Sequence, residues 1–115
     1  MNENDAKEIL ITQLKFSERD IFHLETFRNT LLKHNAKYNF ISKNTEKLIW
    51  VRHILDSAQL IKYIDFSSKG ILADFGSGAG FPGIILAIFN KNPEFHVKLY
   101  EKSSVKREFL NEIKE

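Results

Sequence analysis

Apolar residues in the first part of the chain recur at helical spacing, which predicts an N-terminal helical segment over residues 1–66. A first amphipathic helix is expected over residues 4–15. The S-E-R-D stretch at 17–20 resembles a capping box with Ser17 as the N-cap, and a core-facing stripe follows it. That stripe consists of Ile21, Leu24, Phe27, Leu31 and Leu32.

A further helix, or two short ones, is expected from a cap at Thr45 onwards, after the break H-N-A-K-Y-N-F. Its predicted buried positions are Trp50, Ile54, Leu55, Ala58 and Ile61.

The periodicity changes after the turn-like sequence D-F-S-S-K-G. The continuous apolar run at 71–75 predicts a strand buried on both faces of a parallel sheet. Pro82 is expected at the first position of the next helix, and an alternating stretch at 95–101 predicts a second strand. A last helix should begin near Ser103 or Ser104.

These elements predict an α/β fold in which N-terminal helices precede a β-α-β-α unit. That unit, residues 67–115, is half of a doubly wound, Rossmann-like sheet. Two parallel strands do not form an independent sheet. We expect the first strand to keep an unpaired apolar edge, since the corresponding strand of complete doubly wound sheets has a neighbour on each side. We therefore expect self-association through that edge.

Composition narrows the classes of protein. The net charge of +2 permits a nucleic-acid partner without arguing for one, and the absence of cysteine excludes disulfides and thiolate metal sites. The four histidines lack the i, i+4 spacing of a helical zinc site, so no metal site is predicted. The start has no signal-peptide pattern, and no apolar run approaches the roughly 20 residues that span a bilayer. A cytoplasmic protein without a membrane partner is expected.

The stretch I-L-A-D-F-G-S-G-A-G-F-P-G-I at 71–84 places a glycine loop between a strand and a helix, the context of a nucleotide site. Two frames compete in it. Gly78, Gly80 and Gly83 spell a dinucleotide-type G-x-G-x-x-G, whereas Gly76, Gly78 and Gly80 alternate directly behind the strand.

The frame that starts at Gly76 accounts for two acidic residues as well. Asp74 ends the first strand, and Glu101 ends the second, where a ribose-binding acid belongs. The other frame leaves Asp74 unexplained and includes Pro82, which has no N–H for a phosphate. An acid beside the loop suits a cationic ligand, which favours S-adenosylmethionine over NAD.

The loop resembles that of the RsmG (GidB) family, methyltransferases that act on N7 of a guanine in 16S ribosomal RNA. Three further blocks resemble the family in the correct order over residues 20–115. They are N-A-K-Y-N-F with Asn35 and Asn39, R-H-I-L-D-S at 52–57, and E-K-S-S-V-K-R-E-F-L from Glu101, with Phe40 and Arg107 departing from the family's usual residues.

The resemblance implies an S-adenosylmethionine-dependent enzyme with 16S rRNA of the small ribosomal subunit as its partner, represented here by an N-terminal portion. Gly76 and Phe81 would touch the cofactor through the loop, Asp74 would sit below its methionine end, and Glu101 would hold its ribose. The other loop residues assigned to cofactor binding are Ser77, Gly78 and Gly80. A non-catalytic nucleotide-binding remnant and an NAD-binding protein are the alternatives.

No catalytic base is assigned. His53 and Asp56 lie at i, i+3 and resemble an acid–base pair, but such pairs are more often structural, and guanine N7 is already a nucleophile. The basic residues late in the chain are expected to form a solvated face, with RNA-backbone contact as the minority interpretation. They are Lys98, Lys102, Lys106, Arg107 and Lys114.

Overall fold

The computed structural model describes residues 1–76 and 78–114, in which helices pack against one face of a two-stranded parallel sheet. The elements in chain order are α1 (Glu3–Thr12), α2 (Glu18–Tyr38), α3 (Lys43–Glu46), a π-helical turn (Ile49–Ile54), α4 (Leu55–Ala58), a 3-10 turn (Gln59–Tyr63), β1 (Gly70–Phe75), α5 (Gly83–Phe89), β2 (Phe95–Tyr100) and α6 (Ser104–Lys114). The predicted α/β class, with helices before a β-α-β-α unit, is confirmed.

The capping box predicted at the start of α2 is present. The Ser17 hydroxyl accepts from the Asp20 N–H at 3.0 Å, and the Asp20 carboxylate accepts from the Ser17 N–H at 3.0 Å. The buried Asp20 also binds the ammonium of Lys91, which follows α5. One carboxylate thus caps α2 and ties the end of α5 to it.

The helix predicted to start at Thr45 is organised differently. Ser42 is the N-cap, and Thr45 lies inside α3 and donates its N–H to the Ser42 hydroxyl at 3.2 Å. A π-helical turn follows, in which the Leu55 N–H bonds to the Trp50 carbonyl five residues back. This wider turn buries both Trp50 and Ile54, as the sequence predicted.

The strands β1 and β2 pair in parallel, with Asp74 opposite Leu99 and Phe75 opposite Tyr100. The helix that connects the two strands in the chain, α5, packs its buried side chains on one face of the sheet. Pro82 is the N-cap of α5 rather than its first residue, so the helix begins one residue later than predicted, at Gly83.

The other face of the sheet is exposed, so the prediction that β1 is buried on both sides is wrong. The side chains of Ile71 and Phe75 are 61% and 78% exposed, and the ring of Phe75 stacks on that of Tyr100 at 4.9 Å. Side chains alternate across a strand, and within residues 1–76 and 78–114 nothing covers this set. Self-association through the unpaired edge of β1 stays a prediction.

One hydrophobic cluster joins the N-terminal helices to the β-α-β-α unit. Phe27 of α2 is 1% exposed, and its ring lies 5.4 Å from Phe81 and 6.2 Å from Phe109 of α6. Trp50 belongs to the same cluster and is buried beneath the Lys7 ammonium, which lies 4.7 Å from the ring centroid.

Replacing Ser17 with alanine should lower the free energy of unfolding by about 1 kcal/mol, because the Asp20 N–H loses its capping acceptor. Urea unfolding followed by circular dichroism measures the change. Thr26→Ala is the matched control, since its hydroxyl bonds to the Phe22 carbonyl in the exposed middle of the same helix. Equal effects of the two substitutions would contradict the capping role.

Candidate cofactor-binding site

The loop after β1 is shaped by three glycines in the left-handed region. The φ angles are +72° at Gly76, +55° at Gly78 and +100° at Gly80, values that other L-residues rarely adopt. The Gly76 N–H donates to the Tyr100 carbonyl at 2.7 Å, which fixes the loop to the end of β2. Ser77, also predicted to bind the cofactor, lies outside the described residues.

Glu101 follows β2 and bonds directly to this loop. Its Oε1 accepts from the Gly78 N–H at 2.7 Å, and its Oε2 accepts from the Ser103 N–H at 3.0 Å. These donors, Ser103 first and then Gly78, hold the pKa of the Glu101 carboxyl below its ordinary value of 4.5. The group is therefore a carboxylate at neutral pH.

Asp74, the second acidic residue of the predicted site, joins the end of β1 to the start of α5. Its Oδ2 accepts from the Gly83 N–H at 3.1 Å. A Cβ at Gly83 would lie 2.7 Å from that oxygen and 2.9 Å from Leu99 Cγ. Position 83 therefore has no room for a side chain, a requirement that depends on β1 and β2 and is not visible in the local sequence.

The two glycine frames differ in this geometry. Gly76, Gly78 and Gly80 all have positive φ, whereas Gly83 is helical and serves the contact with Asp74. Gly80 is also closely packed, since a Cβ there would lie 2.7 Å from Ile84 Cγ1.

Phe81 packs towards the helical segment. Its ring meets Phe27 edge-on at 5.4 Å and stacks on the imidazole of His53 at 4.9 Å with 27° between the planes. Its predicted contact with a cofactor stays a prediction. The packing on His53 was not anticipated from the sequence.

His53 carries a perturbed imidazole in the π-helical turn. Burial lowers its pKa below the ordinary 6.5, and the opposing charge of Asp56 reduces that shift without reversing it. The ring is therefore neutral at pH 7. Asp56 is exposed at the surface, so the two residues, although spaced at i, i+3, lie in different environments.

Arg107 supports the backbone beside Glu101. Its guanidinium donates to the carbonyls of Glu101 and Lys102 at 3.3 and 3.1 Å. The sequence placed Arg107 in a basic cluster and in the block that starts at Glu101, but it did not predict this bond, because a bond from α6 back to the end of β2 leaves no local pattern.

A cavity of about 570 Å³ lies beside this region, between α5, β2 and α6. Its lining includes apolar side chains of Ile84, Leu99 and Leu110, together with Glu101 and Arg107. In the described ranges there is no group of three metal-ligating side chains. No helix in the same ranges has the length and apolar character needed to cross a membrane.

Comparison with known proteins decides the family. The family model described as GidB, rRNA small subunit methyltransferase G, matches residues 20–115. The chain belongs to this family. The resemblance noted in the loop and the three blocks is thus confirmed.

Relatives in the GidB family are similar over most of this chain. The ribosomal RNA small subunit methyltransferase G of Pelagibacter ubique is 44% identical over 97 residues, which cover 81% of this chain and 45% of that protein. The protein of the same name from Paramagnetospirillum magneticum is 38% identical over 106 residues, 92% of this chain and 50% of that protein. The chain thus spans about half the length of these curated relatives.

Replacing Gly83 with alanine should lower the free energy of unfolding by about 1–3 kcal/mol, because the new Cβ overlaps Asp74 and Leu99. Urea unfolding measures the loss. Gly70→Ala is the matched control at the start of β1, where a Cβ would meet Phe95 at an ordinary 3.8 Å. Gly83→Ala as stable as Gly70→Ala would contradict the close approach.

The lowered pKa of Glu101 predicts a pH-dependent contribution to stability. A carboxyl with a depressed folded-state pKa stabilises the protein above pH 4.5, and the contribution disappears as pH falls through the folded-state pKa. Wild type should therefore be more stable than Glu101→Gln near neutral pH, and the difference should shrink below pH 4.5. Urea unfolding across this range tests it, and a difference that grows on acidification would contradict it.

Proposed function

We propose that this chain binds S-adenosylmethionine at the glycine loop and contributes that site to a methyltransferase acting on guanine N7 in 16S rRNA. The observation that carries the proposal is the bond between the Gly78 N–H and Glu101, which joins the glycine loop to an ionised acid at the end of the second strand. An rRNA substrate also implies a cytoplasmic location.

The residues present fit an adenosyl cofactor in their donor and acceptor chemistry. Glu101 uses one lone pair on each oxygen for Gly78 and Ser103, so further lone pairs remain to accept from the two ribose hydroxyls. Gly76 is exposed, and nothing would lie within 4 Å of a Cβ at this position, so a ligand can approach the backbone there closely. Asp74 supplies negative charge for the ammonium and sulfonium of the ligand.

The proposed reaction needs alignment more than proton transfer. S-adenosylmethionine supplies an electrophilic methyl group, and the N7 lone pair of guanine is a nucleophile without deprotonation. The contribution of this chain is therefore to hold the cofactor in one orientation, and the reaction needs no catalytic base. His53, neutral and stacked on Phe81, is not needed as one.

The geometry disfavours the NAD alternative. A dinucleotide fingerprint uses the N–H groups at the helix N-terminus for the pyrophosphate. Here Pro82 has no N–H, and the Gly83 N–H already donates to the Asp74 carboxylate. An anion at that position would also repel a pyrophosphate. The other alternative, a chain that binds a nucleotide without catalysis, would have the same cofactor site. Only a measurement of methyltransferase activity separates it from the proposed function.

Isothermal titration with S-adenosylhomocysteine and NAD tests the cofactor assignment. The wild-type chain should bind the adenosyl ligand and not NAD, and Glu101→Ala should weaken binding roughly 10- to 100-fold, because hydrogen bonds to a charged group are lost. Glu94→Ala is the matched control, since Glu94 precedes β2 and pairs with the exposed Lys69. Equal affinities of wild type and Glu101→Ala would refute the ribose contact. Binding of NAD without binding of S-adenosylhomocysteine would refute the assignment of S-adenosylmethionine as the cofactor.

A further inference from the structure

We infer that His53 is a positioning residue for the glycine loop and acts through the ring of Phe81. The inference rests on the proposed function only where it concerns cofactor affinity. Its structural part, that the imidazole holds the loop in its folded conformation, stands on the contacts between the π-helical turn and the loop.

Phe81 is held from two sides by the helical segment. His53 stacks on it at 4.9 Å with nearly parallel planes, and Phe27 meets it edge-on at 5.4 Å. Both arrangements are favourable for aromatic rings. The flat side chain at position 53 thus adds a stacked contact to the edge-on contact with Phe27, and it restrains the plane of the Phe81 ring.

The position of Phe81 is transmitted to the loop through the peptide bond it shares with Gly80. Gly80 is buried, and a Cβ there would lie 3.3 Å from Phe27, so the backbone at this residue is already in close contact with α2. Because Gly80 is tightly packed, a shift of Phe81 has to be taken up by the residues that precede Gly80 in the loop. Gly78, which is half-buried and donates its N–H to Glu101, is one of them.

The local helix geometry agrees with this role. His53 lies in a π-helical turn, a rare conformation that occurs frequently at functional sites. The turn buries Trp50 and Ile54 while His53 stays half-buried against Phe81. The turn thus provides both a core contact and a contact with the loop.

Two apolar substitutions of similar size separate the flat ring from simple packing. His53→Phe keeps a ring that can stack on Phe81, and His53→Leu keeps apolar volume without one. His23→Ala is the control, because His23 is exposed on α2 and lies 5.8 Å from the ring of Phe22, a histidine–aromatic contact that does not include the loop. Circular dichroism verifies that each variant is folded.

The first measurement needs no ligand. Amide hydrogen exchange by NMR at Gly78 should become roughly threefold to tenfold faster in His53→Leu, the factor expected from the loss of one aromatic contact. His53→Phe and His23→Ala should exchange like wild type. Unchanged exchange in His53→Leu, or equally fast exchange in His53→Phe, would overturn the positioning role.

A second variant tests whether the effect passes through Phe81. Phe81→Leu should accelerate exchange at the same amide, and adding His53→Leu to it should change nothing further, because the stack is already lost. Fully additive effects would overturn the inference even if the single variants behave as expected.

Titration with S-adenosylhomocysteine links the inference to the proposed function. If wild type binds, His53→Leu should weaken binding by the same factor that it raises exchange, with His53→Phe like wild type. Unaltered affinity in His53→Leu would overturn the link to binding. If wild type does not bind while exchange responds as predicted, the proposed function fails and the positioning role holds.

Discussion

The packing of Phe27 against the β-α-β-α unit is the contact on which the rest of the structure depends. This one buried ring touches Phe81 after the glycine loop and Phe109 of α6, and it lies close to the backbone of Gly80. Burial of an aromatic side chain of this size contributes about 1.5–3 kcal/mol. The helical segment and the loop are thereby parts of one core, so the shape of the candidate site depends on residues far from it in sequence.

The candidate site is built from the ends of the two parallel strands. Asp74 uses its carboxylate to join β1 to α5, and Glu101 uses its own to join the end of β2 to the loop. Arg107 holds the backbone at Glu101 from α6. Each acidic group is oriented by backbone N–H donors, so its charge is held in place before any ligand arrives.

The sequence predicted the features that have local causes. The capping box at Ser17 follows from side chains three residues apart, and the α/β order follows from a change of periodicity. The cap predicted at Thr45 is wrong, because Ser42 three residues earlier is the N-cap, and the local sequence does not distinguish two residues that are both good caps. An apolar run at 71–75 indicates a strand but not what covers it. The requirement for glycine at position 83 and the stack of His53 on Phe81 come from contacts between elements, which leave no periodic pattern.

The buried indole of Trp50 has a practical consequence. It is the sole tryptophan of the chain, and in the described part of the chain its N–H has no hydrogen-bond partner. Trp50 lies in the π-helical turn, and its ring contacts α1 through the Lys7 ammonium. Tryptophan fluorescence of this protein therefore originates at a buried position on the helical side of the core, and its emission wavelength should report whether α1 remains packed there.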